Sequence, residues 1–363
     1  MESPTSNGGI ESVIMNYYRN INRNNIQFDF LCNTEDVAYE DEINELGGKI
    51  FRVTARSKNL KQYKRDMKEF FLQNAKKYDT IWVNICSLAN IDYLKYAKKY
   101  GIKRRIIHCH NSQNMDSFIR GLLHKYNKIF LKNYATDFWT CSNDASGWFY
   151  SKRIMKSDKY CVIKNAIDTQ RFTFNREIRE KYRAELNIND KFVVGHVGRF
   201  HFQKNHSFII KVFNEIHKQN EKAVLLLVGV GEDEEKIRGQ VKEYNLENNV
   251  KFLGSRNDVP ELMQAMDVFL LPSVFEGLGI VAIEAQATGL PVFASAKVIP
   301  NEVEIDSSIF KFVSLEQDER HWGQEILDFD YGKYKRNSNE KLIKEAGYDI
   351  RKESIKLEKI FSD

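Results

Sequence analysis

Short apolar, β-branched runs alternate with helix-period stretches along the whole chain, and this alternation is what most limits its fold. In the first half the strand candidates are Gln27–Leu31, Lys49–Val53, Thr80–Asn84, Arg105–Cys109, Asp137–Cys141 and Tyr160–Ile163, with helical stretches such as Asn59–Lys77 and Asp92–Tyr100 between them. The second half repeats the pattern at Phe192–Val197, Val224–Val228, Val250–Leu253, Val268–Leu271, Pro291–Ala294 and Phe310–Val313. One helix, Asn205–Lys218, carries Phe208, Ile209, Val212, Phe213 and Ile216 on a single stripe. Repeated β-α alternation predicts α/β architecture: two doubly wound parallel-sheet, Rossmann-like domains. In such sheets ligands bind beyond the carboxyl ends of the strands, so chemistry belongs just after them. The expected division is residues 1–165, then 166–345, then a last helix at 346–363 that packs back on the first domain.

Length and composition agree. The chain has 363 residues, of which 42% are hydrophobic, enough for two packed cores and unlike a disordered chain. Its apolar runs are short, as at Ala223–Val228, whereas a membrane-spanning helix needs roughly 20 apolar residues. The first seven residues, Met1-Glu-Ser-Pro-Thr-Ser-Asn7, have neither the basic start nor the apolar stretch of a secretory signal. Five scattered cysteines without a C-x-x-C pair read as buried, reduced thiols. These features together predict a cytoplasmic protein.

Charge is uneven. Residues 1–165 carry net +10 and residues 166–363 net −5, so the halves face different partners. Lys58, Lys61, Lys64, Arg65 and Lys68 recur at helical spacing and would share one face. That face is either simply solvated or docks on an anionic membrane surface. No nucleic-acid module is recognisable, so no nucleic-acid partner is expected.

Four segments carry chemistry. In Val194-Gly-His-Val-Gly-Arg-Phe-His-Phe-Gln-Lys-Asn-His206 a strand ends at Gly198, Arg199 follows, and Lys204 precedes a helix. A fork and a point charge beside a helix amino end suit a diphosphate, although two cations on a surface loop would read the same way. His196 lies inside the strand and reads as a satisfied core histidine. In Leu271-Pro-Ser-Val-Phe-Glu-Gly-Leu-Gly-Ile-Val-Ala-Ile-Glu284 a strand turns through Gly277, Leu278 and Gly279 into a helix. Glu276 sits at the turn and Glu284 on an apolar stripe, where a carboxylate is costly unless partnered. Sugar hydroxyls are suitable partners, and an internal ion pair is the plainer alternative. In Ile106-Ile-His-Cys-His-Asn-Ser112, His110 stands at a strand end and His108 inside it, with no third ligand for a metal. Ser6-Asn-Gly-Gly-Ile-Glu11 is a glycine turn opening a helix. Asn257 to Glu261 reads as a helix start, with Asp258 and Glu261 as its capping residues.

Together these segments resemble the retaining family-four (glycosyl transferases group 1) glycosyltransferases of the GT-B fold, in the flavour of bacterial capsule, exopolysaccharide and O-antigen assembly. Glu276 and Glu284, with seven residues between them, carry most of the resemblance. Gly198-Arg199 with Lys204, then Gly8-Gly9, carry the rest. Asn165-Ala-Ile-Asp-Thr-Gln-Arg-Phe172 is similar to the family's interdomain segment, with Ala166 where Gly is usual.

The resemblance implies an active site in the interdomain cleft and a nucleotide-sugar donor, a UDP-sugar by family frequency, held by the second domain. Arg199 and Lys204 would bind the diphosphate and Glu284 the ribose. Glu276 would contact the donor sugar beside the amides of Gly277, Leu278 and Gly279. Arg256, in Gly254-Ser-Arg256, would lie near the base, Gly8 and Gly9 near the phosphates, and His110 by the reacting sugar. The catalytic set is thus Glu276, His110, Arg199 and Lys204. The acceptor would be a saccharide, free or on undecaprenyl diphosphate, at the inner face of the plasma membrane. No cofactor and no metal are implied, since the fixed cations stabilise the leaving group. Losing Arg199 or Lys204 should then cost turnover with little loss of fold.

A nucleotide-sugar epimerase on the same fold is the main alternative, and acceptor-dependent nucleotide release separates the two. A glycoside hydrolase would leave the cations unexplained. A sensor would bind a UDP-sugar without turnover. An NAD-dependent oxidoreductase is disfavoured because Val228-Gly-Val-Gly231 lacks the third glycine of the fingerprint.

One departure stands out. The family has an apolar central strand before Gly8, but Glu2 to Asn7 is polar and contains a proline, unlike a buried parallel strand. The expectation is that two neighbouring strands have unpaired edges, and that the full protein carries roughly eight more apolar residues upstream of Met1.

Overall fold

The computed structural model describes residues 9–111 and 117–362. Gly8 and Ser112, singled out above, lie outside them. The chain divides into two units, Met1–Ala166 with Arg351–Asp363, and Ile167–Ile350. The second unit thus begins at Ile167 and ends at Ile350, and the last thirteen residues belong to the first.

The first unit holds β1 (Phe30–Cys32), β2 (Ile50–Arg52), β3 (Thr80–Ile85), β4 (Arg104–Cys109), β5 (Asp137–Thr140) and β6 (Tyr160–Val162). The expected strand at Gln27 starts late because the Asp29 carboxylate, not a carbonyl, accepts from the Lys49 N–H at 2.8 Å. β1 pairs with β2, and β3-β4-β5-β6 forms a separate four-stranded sheet, with every pair parallel.

Among the described residues nothing pairs with the outer edges of β1 and β3. A cavity of about 410 Å³ separates them, lined by residues 26–33 and 79–85 and by Phe361. Residues consecutive along a strand face a space together only at its edge, because side chains alternate. In parallel pairing the groups not used on one side point to the other. The Arg104 N–H donates to the Asp79 carbonyl and the His110 N–H to the Ile85 carbonyl, which leaves the N–H and C=O of Thr80, Trp82 and Asn84 turned to the slot. Among the described residues both edges therefore stand open to the slot.

The helix Ile350–Ser362 closes one side of the slot. Its Phe361 ring lies 5.8 Å from Phe28, 5.9 Å from Trp82 and 5.5 Å from Trp139, all edge-on.

The second unit is one six-stranded parallel sheet of β7 (Phe192–Val197), β8 (Ala223–Val228), β9 (Val250–Phe252), β10 (Val268–Leu271), β11 (Val292–Ser295) and β12 (Phe310–Val313), in the order β12-β11-β10-β7-β8-β9. All six residues of β8 are buried, as a strand covered on both faces requires. The helix His206–Gln219 buries Ile209, Ile210, Val212, Phe213 and Ile216 against it, with Trp322 beyond. Strand order reverses between β7 and β10, so their carboxyl ends form the natural ligand crevice.

Two local expectations fail. Asp258 and Glu261 make no capping pair: the Asp258 carboxylate is taken by Arg256 at 2.5 Å and the Tyr182 hydroxyl at 2.9 Å, charge-assisted bonds that outcompete a cap. Lys58 lies outside the helix Leu60–Asn74, ahead of its Asn59 cap, and faces Glu35 at 3.7 Å instead. All five cysteines are free thiols, but only Cys32, Cys109 and Cys141 are buried, Cys86 and Cys161 being half-exposed.

Candidate functional site

Both second-unit motifs fall at the switch point, on the loops after β7 and β10. Four bonds zip these loops together. The Val274 N–H donates to the Gln203 carbonyl at 2.9 Å, and Asn205 Nδ2 to the Pro272 carbonyl at 3.1 Å. Gln203 Nε2 donates to the Phe275 carbonyl at 3.1 Å, and Lys204 Nζ to Glu276 Oε1 at 2.5 Å. Asn205 takes a left-handed conformation, φ 58°, that turns the short 3₁₀ segment Phe202–Lys204 into the helix His206–Gln219. From below, the Ser295 hydroxyl donates to the Ser273 carbonyl at 2.6 Å, and the Ser273 hydroxyl to Glu276 Oε1 at 2.7 Å.

Glu276 is buried, and its partner Lys204 is largely so. A buried carboxylate is tolerable when matched with an ammonium and a hydroxyl. Arg199 differs: its side chain is 51% exposed, and among the described residues its guanidinium reaches only Glu232, at 4.0 Å. It is thus the more available cation. His201, which sequence reasoning passed over, also faces Glu232, at 3.5 Å.

Gly279, at φ 83°, caps the helix Ile280–Ala287, a conformation an L side chain adopts only with strain. The first-turn amides of that helix favour negative charge. Glu284 is half-buried one turn on. Burial pushes its carboxyl up to about 7, while Arg171 and Lys204 pull the other way. No hydrogen bond or ion pair reaches its carboxylate among the described residues, so the internal partner that would have explained it is missing. Arg256 follows β9 and Gly254, but its guanidinium is held by Asp258 at 2.7 and 2.5 Å.

Two glycines escaped the sequence reading. A Cβ on Gly229 would stand 2.1 Å from the Gly198 carbonyl oxygen, and one on Gly231 would stand 2.3 Å from that of Phe200. Val228-Gly-Val-Gly231 is therefore no failed dinucleotide fingerprint. It is the packing surface that lets the loop carrying Arg199 lie against the end of β8.

In the first unit, His110 follows β4 and is buried, with Nε2 2.9 Å from Asn84 Oδ1. Burial lowers its pKa to about 3, so the ring is neutral. Its ring centroid lies 4.1 Å from that of His108, as residues two apart on an extended strand require. Gly9 opens the helix Gly9–Asn20 with nothing within 4 Å of where its Cβ would be. Among the described residues no cluster of His, Cys, Asp and Glu could hold a metal ion.

A doubly wound sheet with cations and carboxylates gathered at its switch point is the second-domain arrangement of GT-B glycosyltransferases. The Glycosyl transferases group 1 pattern matches residues 178–327, and the Glycosyltransferase Family 4 pattern residues 7–171. EpsF of Bacillus subtilis, named as a glycosyltransferase, is 30% identical over 354 residues, covering 96% of this chain and 91% of its own. The UDP-Gal:alpha-D-GlcNAc-diphosphoundecaprenol alpha-1,3-galactosyltransferase of Escherichia coli is 32% identical over 180 residues, 48% of this chain and 46% of its own. Anabaena HepE, solved in complex with UDP and glucose, shares the fold, with a TM-score of 0.79 and 19% identity over 100% of this chain and 98% of its own. This chain belongs to the group 1, family-four glycosyltransferases and has their GT-B fold.

Proposed function

We propose that the protein is a retaining, metal-independent hexosyl- or N-acetylhexosaminyltransferase. It moves a sugar from a UDP-sugar to a lipid-linked saccharide in bacterial surface-polysaccharide assembly. The observation that carries this reading is the meeting of Arg199, Lys204, Glu276 and Glu284 at one switch point, with Lys204 already fixed on Glu276 at 2.5 Å.

Departure of the nucleoside diphosphate builds negative charge on its terminal phosphate. The charges of Arg199 and Lys204 and the first-turn amides of Ile280–Ala287 lie at the switch point, and they stabilise that group electrostatically. Glu276 accepts from donor-sugar hydroxyls through its carboxylate, which Lys204 holds in place. Glu284 accepts from the ribose hydroxyls, the partners its half-buried carboxylate lacks. His110 is kept neutral by its burial and so brings no charge of its own. The diphosphate's charge is met by protein cations, so no metal is called for, and no cofactor enters.

The acceptor class is supported by the Escherichia coli relative, which by its name acts on a diphosphoundecaprenol-linked sugar. The basic first unit, with Lys61, Lys64 and Lys68 exposed, supports docking on an anionic membrane at its cytoplasmic face. No described helix is long and apolar enough to cross that membrane.

The test is nucleotide release from a panel of UDP-, GDP- and ADP-sugars, with and without a lipid-diphosphate saccharide and with chelator present. Acceptor-dependent UDP release, unaffected by chelator and giving a product of the donor's anomeric configuration, is expected. Turnover of the donor without acceptor would favour the epimerase.

A further inference from the structure

Surface helices of folded proteins turn apolar residues inward and polar ones outward. The helix Phe118–Phe130 does the reverse. Its outward face is Phe118, Ile119, Leu122, Tyr126, Ile129 and Phe130, with Phe118 at 87% and Ile129 at 74% exposure. Its inward face is polar and already satisfied. His124 Nδ1 accepts from the Leu88 N–H at 3.1 Å, and the ring stacks on Trp148 at 3.8 Å. Asn127 Nδ2 donates to the Leu88 carbonyl at 2.6 Å, and Lys128 Nζ to the Trp148 carbonyl at 2.6 Å. The helix is thus held in place by its hydrogen-bonding side, and the apolar side takes no part in seating it. Six large apolar side chains on four helical turns form a contiguous patch of the kind that marks an interaction site.

The surrounding charge selects the partner. Lys125 and Lys132, seven residues apart, border the apolar face along one side, and both are exposed. No aspartate or glutamate occurs between Ser117 and Thr136. A two-fold contact with a second copy would set these like charges against one another. Anionic lipid headgroups would neutralise them while acyl chains receive the apolar face, which is how an interfacial amphipathic helix binds.

We propose that the helix Phe118–Phe130 is the membrane-docking element of this protein, lying in the interface of an anionic bilayer. This deepens the proposed use of a lipid-linked acceptor, since the acceptor's headgroup would be presented at that surface. It assigns docking chiefly to this helix, and only secondarily to the lysines of Leu60–Asn74.

The experiment is co-sedimentation of the full chain, without donor or acceptor, with vesicles of phosphatidylglycerol and phosphatidylethanolamine and with phosphatidylcholine vesicles as control. The wild type is expected to pellet with the anionic vesicles and release at high salt. Ile119→Gln/Leu122→Gln/Ile129→Gln should weaken binding about tenfold or more, and Lys125→Gln/Lys132→Gln severalfold, with unchanged melting temperatures because the altered side chains are exposed. Lys61→Gln/Lys64→Gln/Lys68→Gln should have the smaller effect. No pelleting by the wild type, or unchanged pelleting of the apolar-face variant, would overturn the proposal. So would a lipid-free dimer, seen by sedimentation velocity, that the apolar-face variant dissociates while vesicle binding persists. Loss of sugar transfer with vesicle binding intact would instead count against the proposed function alone.

Discussion

Lys204 Nζ and Glu276 Oε1, 72 residues apart in sequence, stand 2.5 Å apart beneath the switch point of the second sheet. The pair revises the expectation that Lys204 could be lost with little effect on the fold. Removing the ammonium leaves the Glu276 carboxylate buried without its matching charge. Breaking a buried pair from one side costs about 3 kcal/mol. Lys204→Ala is therefore expected to lower the melting temperature as well as kcat/KM. Arg199→Ala should lower kcat/KM roughly ten- to a hundredfold, the worth of one charge-assisted phosphate contact, and leave melting unchanged. Melting curves beside kinetics check both, and a normal rate in Arg199→Ala would remove it from the site.

Glu284 sets a pH dependence whose sign follows from its burial. Its carboxyl titrates near 7 in the folded protein, above its ordinary value of 4.5. Ribose hydroxyls donate best to the ionised form, so donor binding should tighten as pH rises from about 6 to 8. UDP-glucose, whose diester phosphates do not titrate there, is the suitable calorimetric probe. Folding takes up a proton between 4.5 and about 7, so the cost of this residue is absent below that window and complete above it. Glu284→Gln should weaken binding about tenfold, flatten its pH profile, and melt higher than wild type above pH 7. A profile unchanged by the substitution would contradict the ribose role.

Gly231 tests whether the β8 turn shapes the site. A methyl there would push on the Phe200 backbone, the residue after Arg199. Gly231→Ala should weaken UDP-glucose binding severalfold although it touches no ligand, whereas Gly239→Ala, where a Cβ meets nothing within 4 Å, should leave binding as it is. Equal behaviour of the two variants would show that the packing does not matter.

The slot between β1 and β3 offers unmade backbone hydrogen bonds to an added strand. Fusing about eight apolar, β-branched residues and a short linker ahead of Met1 should pair both edges and raise the melting temperature by about 5 °C or more. A scrambled polar extension of equal length should not. Equal melting of the two fusions would show that the edges do not accept a strand in this position.

What the sequence made legible follows from which forces are local. The central strands β8 and β10 are continuous apolar runs, because both faces are covered, and such runs read directly. The switch point was readable from Gly198-Arg199 and from Glu276 to Glu284, since each motif sits on a single turn. The pairing of Lys204 with Glu276 was not, because it joins two loops 72 residues apart. The packing role of Gly229 and Gly231 was not legible for the same reason: their constraint is the backbone of a neighbouring loop. Asp258 was misread as a cap because Arg256 and Tyr182 compete for it only in three dimensions. The slot was the exception among non-local features. It was expected because Glu2 to Asn7 is polar and contains a proline, unlike the apolar strand that the family resemblance implies.

The central claim is that the loops after β7 and β10 hold a nucleotide sugar by its diphosphate. Calorimetric titration of UDP-glucose into the wild type and Arg199→Ala, at low and high salt, tests it most directly. The account predicts binding by the wild type that weakens with salt, and a roughly ten- to hundredfold loss in Arg199→Ala together with most of that salt dependence. Equal affinity of the two proteins, or no binding of any nucleotide sugar by a folded wild type, would contradict it.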